Sequence, residues 1–142
     1  MQLSKKSEYA VRAIAILASH GTENSMQAQE LSHIGDIPQK FLEQILLILK
    51  RGGLVVSKRG VGGGYRLARE PRLITVAEVI LSIEGEFSPL PDPPHTSDFP
   101  GSAGLINCFT TASEAYKSIL EETTIEDLIN HESGDSMMGF GI

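Results

Sequence analysis

The sequence predicts a mainly α fold with a small β hairpin, on three observations. Apolar residues recur at three- and four-residue spacing in several segments punctuated by glycine. One pair of β-type runs stands on either side of a glycine cluster at residues 60–64. Five of the 7 prolines fall between residues 89 and 100, and this break separates the hairpin region from a second helical part.

The first helix is expected over about residues 5–19, with Ser4 as N-cap. Tyr9, Ala10, Ala13, Ile14, Ile16, Leu17 and Ala18 make it apolar on most sides, so several neighbours should bury it. His20 and Gly21 end it. A short helix over about 27–34 turns Ala28 and Leu31 inward and is closed by Gly35. The third helix runs over about 38–51 with Pro38 at its first position, where the missing N–H costs nothing. Gly52 and Gly53 stop it. Two helices joined by the turn Gly35-Asp36-Ile37 make a helix-turn-helix.

Leu54-Val55-Val56-Ser57-Lys58-Arg59 and Tyr65-Arg66-Leu67-Ala68 are the two β-type runs, forming a basic wing with a glycine-rich tip. Thr75 and Glu78 resemble a capping box that opens a helix to about residue 84. Residues 85–107 are too rich in proline and glycine for a regular element; a small-molecule or protein signal, if there is one, would act there, and prolines that shape a linker are the plain alternative. Leu105, Cys108, Phe109, Ala112, Ala115, Tyr116, Ile119 and Leu120 then form one apolar stripe on a long helix. Thr123 and Glu126 resemble a further capping box, opening a short last helix through residue 129. The fold class is therefore mainly α with a small β wing, a winged helix-turn-helix followed by a long C-terminal helix. Residues 1–72 form the winged helix-turn-helix region, 73–131 the linker helix, Pro-rich loop and C-terminal helices, and 132–142 a disordered tail.

Charge follows this division. Residues 1–72 hold eleven Lys and Arg against six Asp and Glu, a formal +5. Residues 73–142 hold one Lys against twelve acids, a formal −11. The total of −6 hides a basic half suited to double-stranded DNA. On the third helix Leu42, Ile45, Leu46 and Leu49 share a core face, which leaves Gln39, Lys40, Glu43, Gln44 and Leu47 on the other. Glutamine pairs with adenine, glutamate accepts from cytosine, and lysine reaches guanine or phosphate in a major groove. Lys58, Arg59 and Arg66 flank a narrow tip suited to the negative potential of a minor groove. Lys5, Lys6, Lys50 and Arg51 add phosphate contacts. An ordinary solvated helix face and a surface hairpin kept soluble by its charges are the plain alternatives.

Other classes fit less well. The glycines are not a phosphate loop, because no Gly-Lys-Ser/Thr follows and the flanks are two strands. No Ser/His/Asp or Cys/His arrangement suggests an enzyme. No stretch reaches the roughly 20 apolar residues needed to span a bilayer, and charges interrupt the first apolar run, so neither membrane nor leader is expected. A single cysteine, Cys108, forms no internal disulfide, and a cytoplasmic setting follows.

Several motifs together resemble one family. These are Leu3-Ser4 with Glu8-Tyr9-Ala10, Ile37-Pro38 with Phe41-Leu42-Glu43-Gln44-Ile45-Leu46, Gly53-Leu54-Val55, and above all Ser57-Lys58-Arg59-Gly60-Val61-Gly62-Gly63-Gly64-Tyr65-Arg66-Leu67-Ala68. They resemble the Rrf-two family of bacterial transcription factors in one register from about residue 2 to 84. Further along, Thr124-Ile125-Glu126-Asp127-Leu128 matches more loosely. The resemblance implies a homodimeric winged-helix regulator, a probe of pseudo-palindromic operators, in which the helix over about 105–122 packs against its partner's copy. It implies DNA contacts from Ser4, Lys5, Gln39, Lys40, Glu43, Gln44, Ser57, Lys58, Arg59, Gly60, Tyr65 and Arg66, with Arg59 in the minor groove. Leu105, Cys108, Phe109, Ala112, Tyr116, Ile119 and Leu120 fall to the dimer interface.

Cluster-binding members of that family carry three cysteines between residue 85 and the dimer helix, holding a [2Fe–2S] cluster. This chain has Cys108 alone there, against the four protein ligands such a cluster needs. A cluster-free regulator is the reading, with no metal site. A cluster would have to recruit His95 or Glu8 beside Cys108. Cys108 otherwise serves as a small residue on the dimer stripe or as a redox-sensing thiol. A protein-interaction module that uses the acidic half is the remaining alternative.

Overall fold

A computed structural model describes residues 3–86 and 98–138, with side chains through residue 131. The described elements are α1 (Lys5–His20), α2 (Ala28–Gly35), α3 (Gln39–Arg51), β1 (Val55–Lys58), β2 (Gly64–Leu67), a 3-10 turn (Pro71–Leu73), α4 (Val76–Glu84), α5 (Ser102–Glu122) and α6 (Ile125–Met138). This is the mainly helical winged fold that the periodicity predicts.

α1 is the central helix. Ala10, Ala13, Ile14 and Leu17 are fully buried, and α2, α3, α4, α6 and β2 all pack on it. Leu31 of α2 and Leu42, Ile45, Leu46 and Leu49 of α3 close the core from the other side. Val55 and Leu67 pair across the antiparallel hairpin and point the same face into that core. The hydrophobic face of each element thus fixes where the polar face must stand.

Packing crosses the charge boundary at residues 72 and 73. The backbone N–H of Ile125 donates to Ile74 (2.9 Å) and that of Val76 to Thr123 (2.9 Å). The Ile125 side chain is fully buried in the same core as α1 and α3. At the other end of α4, the Ser7 hydroxyl donates to Glu84 (2.8 Å). The Ser4 and Ser7 hydroxyls hold the Glu84 carboxyl below its ordinary pKa.

Local signals set most boundaries, and five differ from the sequence reading. Pro38 is the N-cap of α3 rather than its first residue: its ψ of 127° is extended, and its carbonyl accepts from Phe41 and Leu42 (both 3.0 Å). Asp36, not Gly35, takes the left-handed position after α2, at φ 49°. Gly35 is needed for space instead, since a Cβ there would stand 2.9 Å from both Ile16 and Ile37. The C-terminal capping box is Thr124 with Asp127, one residue later than Thr123 with Glu126. The Asp127 N–H donates to the Thr124 hydroxyl (3.0 Å) and the Thr124 N–H to the Asp127 carboxylate (2.9 Å). The Thr123 hydroxyl instead donates to the Ile119 carbonyl (2.7 Å) as α5 ends.

The remaining two differences concern helix length. α5 begins at Ser102, inside the segment 85–107 read as irregular, because Pro100 and Gly101 lie just outside its first turn. α6 runs to Met138, past residue 129 and into the segment read as a disordered tail. His95 and the prolines at 89, 91, 93 and 94 lie outside the described residues. Among the described residues no helix is long and apolar enough to cross a membrane.

The Thr75–Glu78 capping box forms as predicted. The Glu78 N–H donates to the Thr75 hydroxyl (3.1 Å), and the Thr75 N–H donates to the Glu78 carboxylate (3.2 Å). Replacing Thr75 by alanine is expected to cost about 1 kcal/mol, read as a lowered midpoint in thermal or urea unfolding. An unchanged midpoint would mean that tertiary packing alone holds the start of α4.

Candidate nucleic-acid interface

α3 shows water one long polar face. Gln39, Lys40, Glu43, Gln44 and Leu47 are all exposed, opposite the buried Leu42, Ile45, Leu46 and Leu49. Among the described residues the side chains of Gln39, Lys40, Glu43 and Gln44 make no hydrogen bond or ion pair. Their donors and acceptors remain available to a ligand.

The angle of α3 is set from α1. Arg12 Nη1 donates to the carbonyls of Gly35 (2.8 Å) and Asp36 (3.4 Å), satisfying the end of α2 and the turn into α3. Arg12 Nη2 donates to Glu8 (2.7 Å), and the guanidinium lies over the Tyr9 ring at 5.3 Å. The Tyr9 ring in turn meets Phe41 of α3, with centroids 6.5 Å apart. Ser32 adds a hydroxyl donor to the Ile37 carbonyl (2.5 Å). Turn and recognition helix are therefore clamped to the most buried element of the fold.

The wing is equally fixed. The N–H and carbonyl of Met26 pair with those of Tyr65 (2.8 Å each), and Gln27 Nε2 donates to the Gly63 carbonyl (3.0 Å). Gly64 permits this approach: a Cβ on it would stand 2.4 Å from the Met26 carbonyl oxygen, and its φ is +133°. The tip closes by a bond from the Gly63 N–H to the Gly60 carbonyl (2.9 Å). Val61 forms the apex and is fully solvent-exposed (104%), so the tip does carry a branched side chain. Lys58, Arg59 and Arg66 project from the hairpin, exposed and without a protein partner among the described residues.

Among the other basic residues Lys6 and Arg51 have no side-chain partner among the described residues, whereas Lys5, Lys50, Arg69 and Arg72 are engaged internally. Lys5 pairs with Glu8 (3.4 Å) and lies 5.9 Å from the Tyr9 ring. Lys50 Nζ donates to the Ser57 hydroxyl (2.7 Å), tying the end of α3 to β1. Arg69 pairs with Glu78 and Arg72 with Glu70. Ser4 caps α1 by accepting from the Ser7 N–H (3.1 Å). Tyr65 is half-buried against the core, and Gly60 is an exposed turn residue. The site residues read from the sequence thus divide. Gln39, Lys40, Glu43, Gln44, Lys58, Arg59 and Arg66 stand free on α3 and the wing, while Ser4, Lys5, Ser57 and Tyr65 have structural partners.

Two features were missed in the sequence. Gln27, Gln29, Glu30, Ser32 and His33 of the α2 region line one shallow depression with Gln39, placing α2 polar groups beside the start of α3. The only local signal was that α2 turns few residues inward. The Arg12 clamp was also missed, although Glu8 and Arg12 stand at the four-residue spacing that pairs charges on a helix.

α5 is a helix of 21 residues without one buried side chain in the single chain. Leu105, Phe109, Tyr116 and Leu120 are half-buried, whereas Ala112 and Ile119 are exposed. Cys108 is exposed here. Of the candidate cluster ligands, His95 lies outside the described residues. Among the described residues no three His, Cys, Asp or Glu side chains are grouped to hold a metal. Glu8 is already occupied by Lys5 and Arg12, which hold its carboxyl below the ordinary range, with the Lys5 hydrogen bond foremost.

Comparison with known proteins agrees with this geometry. A family model described as Rrf2, iron-dependent transcriptional regulator, matches residues 3–131. The regulator IscR of Photorhabdus laumondii is 32% identical over 93% of this chain and 81% of its own length. The regulator CymR of Bacillus subtilis is 30% identical over 95% and 94%. The solved structure of CymR, the global cysteine regulator of B. subtilis, superposes with a TM-score of 0.79 at 29% identity, covering 92% of this chain and 98% of that one. The structure of T. potens IscR gives 0.74 at 29% identity, covering 93% and 88%. A winged-helix body whose third helix exposes a polar face, matched by a family model over nearly its whole length, makes this chain a member of the Rrf2 family of transcriptional regulators.

Proposed function

We propose that this regulator acts in the cytoplasm as a homodimer, binding a pseudo-palindromic operator as a repressor. One observation carries the reading: Gln39, Lys40 and Gln44 on α3 and Lys58, Arg59 and Arg66 on the wing are exposed and without a partner among the described residues. In this arrangement Gln39, Lys40, Glu43 and Gln44 read base edges in the major groove, and Arg59 enters the adjacent minor groove. The α5 stripe of Leu105, Cys108, Phe109, Ala112, Tyr116, Ile119 and Leu120 packs on a second copy. Two recognition helices then lie about one duplex turn apart.

The regulator works without a cluster in this reading. Cys108 is one cysteine where four ligands are needed, and Glu8 is committed to the Arg12 clamp. Protein purified without oxygen is expected to be colourless and free of iron, and still to enrich a palindrome from random duplexes. Failure to enrich any sequence would remove the operator reading, and a brown, iron-loaded protein would remove the cluster-free one.

Within the enriched site, replacing Glu43 by alanine is expected to change base preference more than overall affinity. A carboxylate accepts from the cytosine amino group and repels phosphate, so its two effects on affinity oppose each other. Selection repeated with the variant checks this. An unchanged preference would take Glu43 out of the base-reading set.

A further inference from the structure

The two faces of the wing carry different chemistry. Register places Val55 with Leu67 and Ser57 with Tyr65 on one face, and Val56 with Arg66 and Lys58 with Gly64 on the other. Val55 and Leu67 are buried, so the first face looks toward the body. Its outer end meets α3 through the Lys50–Ser57 bond. The second face therefore carries Lys58 and Arg66 away from the recognition helix.

On that side lies a polar groove. It is lined by Lys58 and Arg66 from the hairpin, by His20 at the end of α1, and by Glu23, Asn24 and Ser25 of the turn that follows. Gly62 also lines the groove, so it reaches the wing tip. It is preformed, because the Met26–Tyr65 pairing and the Gln27–Gly63 bond staple the far end of that turn to the hairpin. Asn24 Nδ2 donates to the His20 carbonyl (3.3 Å), fixing the turn itself. Among the described residues Lys58 and Arg66 have no ion-pair partner, although Glu23 shares their groove.

We infer that this groove binds a backbone phosphate of the operator strand on the far side of the wing from α3. The minor groove is about 6 Å wide, so a hairpin inside it stands between two sugar–phosphate chains. On the α3 side only the exposed outer end of the hairpin, at Ser57, stands near one chain. The outer side brings Lys58 and Arg66 to the other chain as charge-assisted donors, with the Ser25 hydroxyl as a neutral one. Glu23 opposes the phosphate and moderates the attraction. The inference rests on the DNA-binding reading and adds to it a second strand and the turn over residues 20–25.

The test uses the full-length protein and its selected operator, with single phosphates replaced by neutral methylphosphonates along each strand beside the wing. Wild type is expected to lose about fivefold or more in affinity at one position on the far strand. Arg66→Ala should lose a similar factor on the unmodified operator, lose little more at that neutral position, and lower the salt slope by about one. Glu23→Gln should bind more tightly. If Arg66→Ala, Lys58→Ala and Glu23→Gln all keep wild-type affinity and slope on an operator that wild type selects, the groove binds no phosphate. If wild type selects no operator, the DNA-binding reading itself fails and takes the groove with it.

Discussion

Replacing Arg59 by alanine is expected to lower operator affinity about tenfold or more at near-physiological salt while leaving thermal stability unchanged. Both halves follow from one fact. Arg59 is exposed, with no hydrogen bond or ion pair among the described residues, so the folded chain loses nothing on truncation. Surface changes of that kind stay within about 0.5 kcal/mol. Bound DNA loses a guanidinium from a narrow groove where negative potential is concentrated. The hairpin that presents Arg59 is held by Gly64 against Met26, so the wing keeps its place when the side chain is removed. Fluorescence anisotropy with the selected duplex, beside a thermal melt, separates the two effects. Wild-type affinity would show that the wing stays outside the groove.

The second large effect concerns α5. Ile119→Glu is expected to turn a dimer into a monomer and to weaken operator binding about a hundredfold, since two linked half-sites gain by effective concentration. Ile119 is 62% exposed in the single chain, so the substitution leaves the monomer's own packing intact. It places a charge on the stripe that Phe109, Ala112, Tyr116 and Leu120 continue, on a helix whose surroundings already carry excess acid. Sedimentation and DNA titration on the same sample check both outcomes. A variant that stays dimeric at micromolar concentration would place the interface elsewhere.

The two regions differ in how far their sequence reveals them. From α1 to α4, glycine and proline punctuate regular apolar periods, and each boundary depends on residues within one turn of it. The exposed set Gln39, Lys40, Glu43 and Gln44 was legible for the same reason, because burying Leu42, Ile45, Leu46 and Leu49 leaves them nowhere else to face. Contacts between distant residues were not legible. Arg12 reaches Gly35 and Asp36 across the fold, and Lys50 turns to Ser57 rather than outward. Ile125 looks like part of a terminal helix, yet it completes the core under α1. Cys108 sits on an apolar stripe of α5, so periodicity alone places it inside, while the single chain leaves it exposed.

Stoichiometry on the selected operator tests the central claim most directly. Duplex is titrated with protein at concentrations well above the dissociation constant, first on the native spacing and then with about half a helical turn inserted between the half-sites. Saturation at two chains per duplex, with binding abolished by the insertion, is the predicted result. Saturation at one chain, or affinity indifferent to the insertion, would contradict a symmetric dimer reading two half-sites through α3 and the wing.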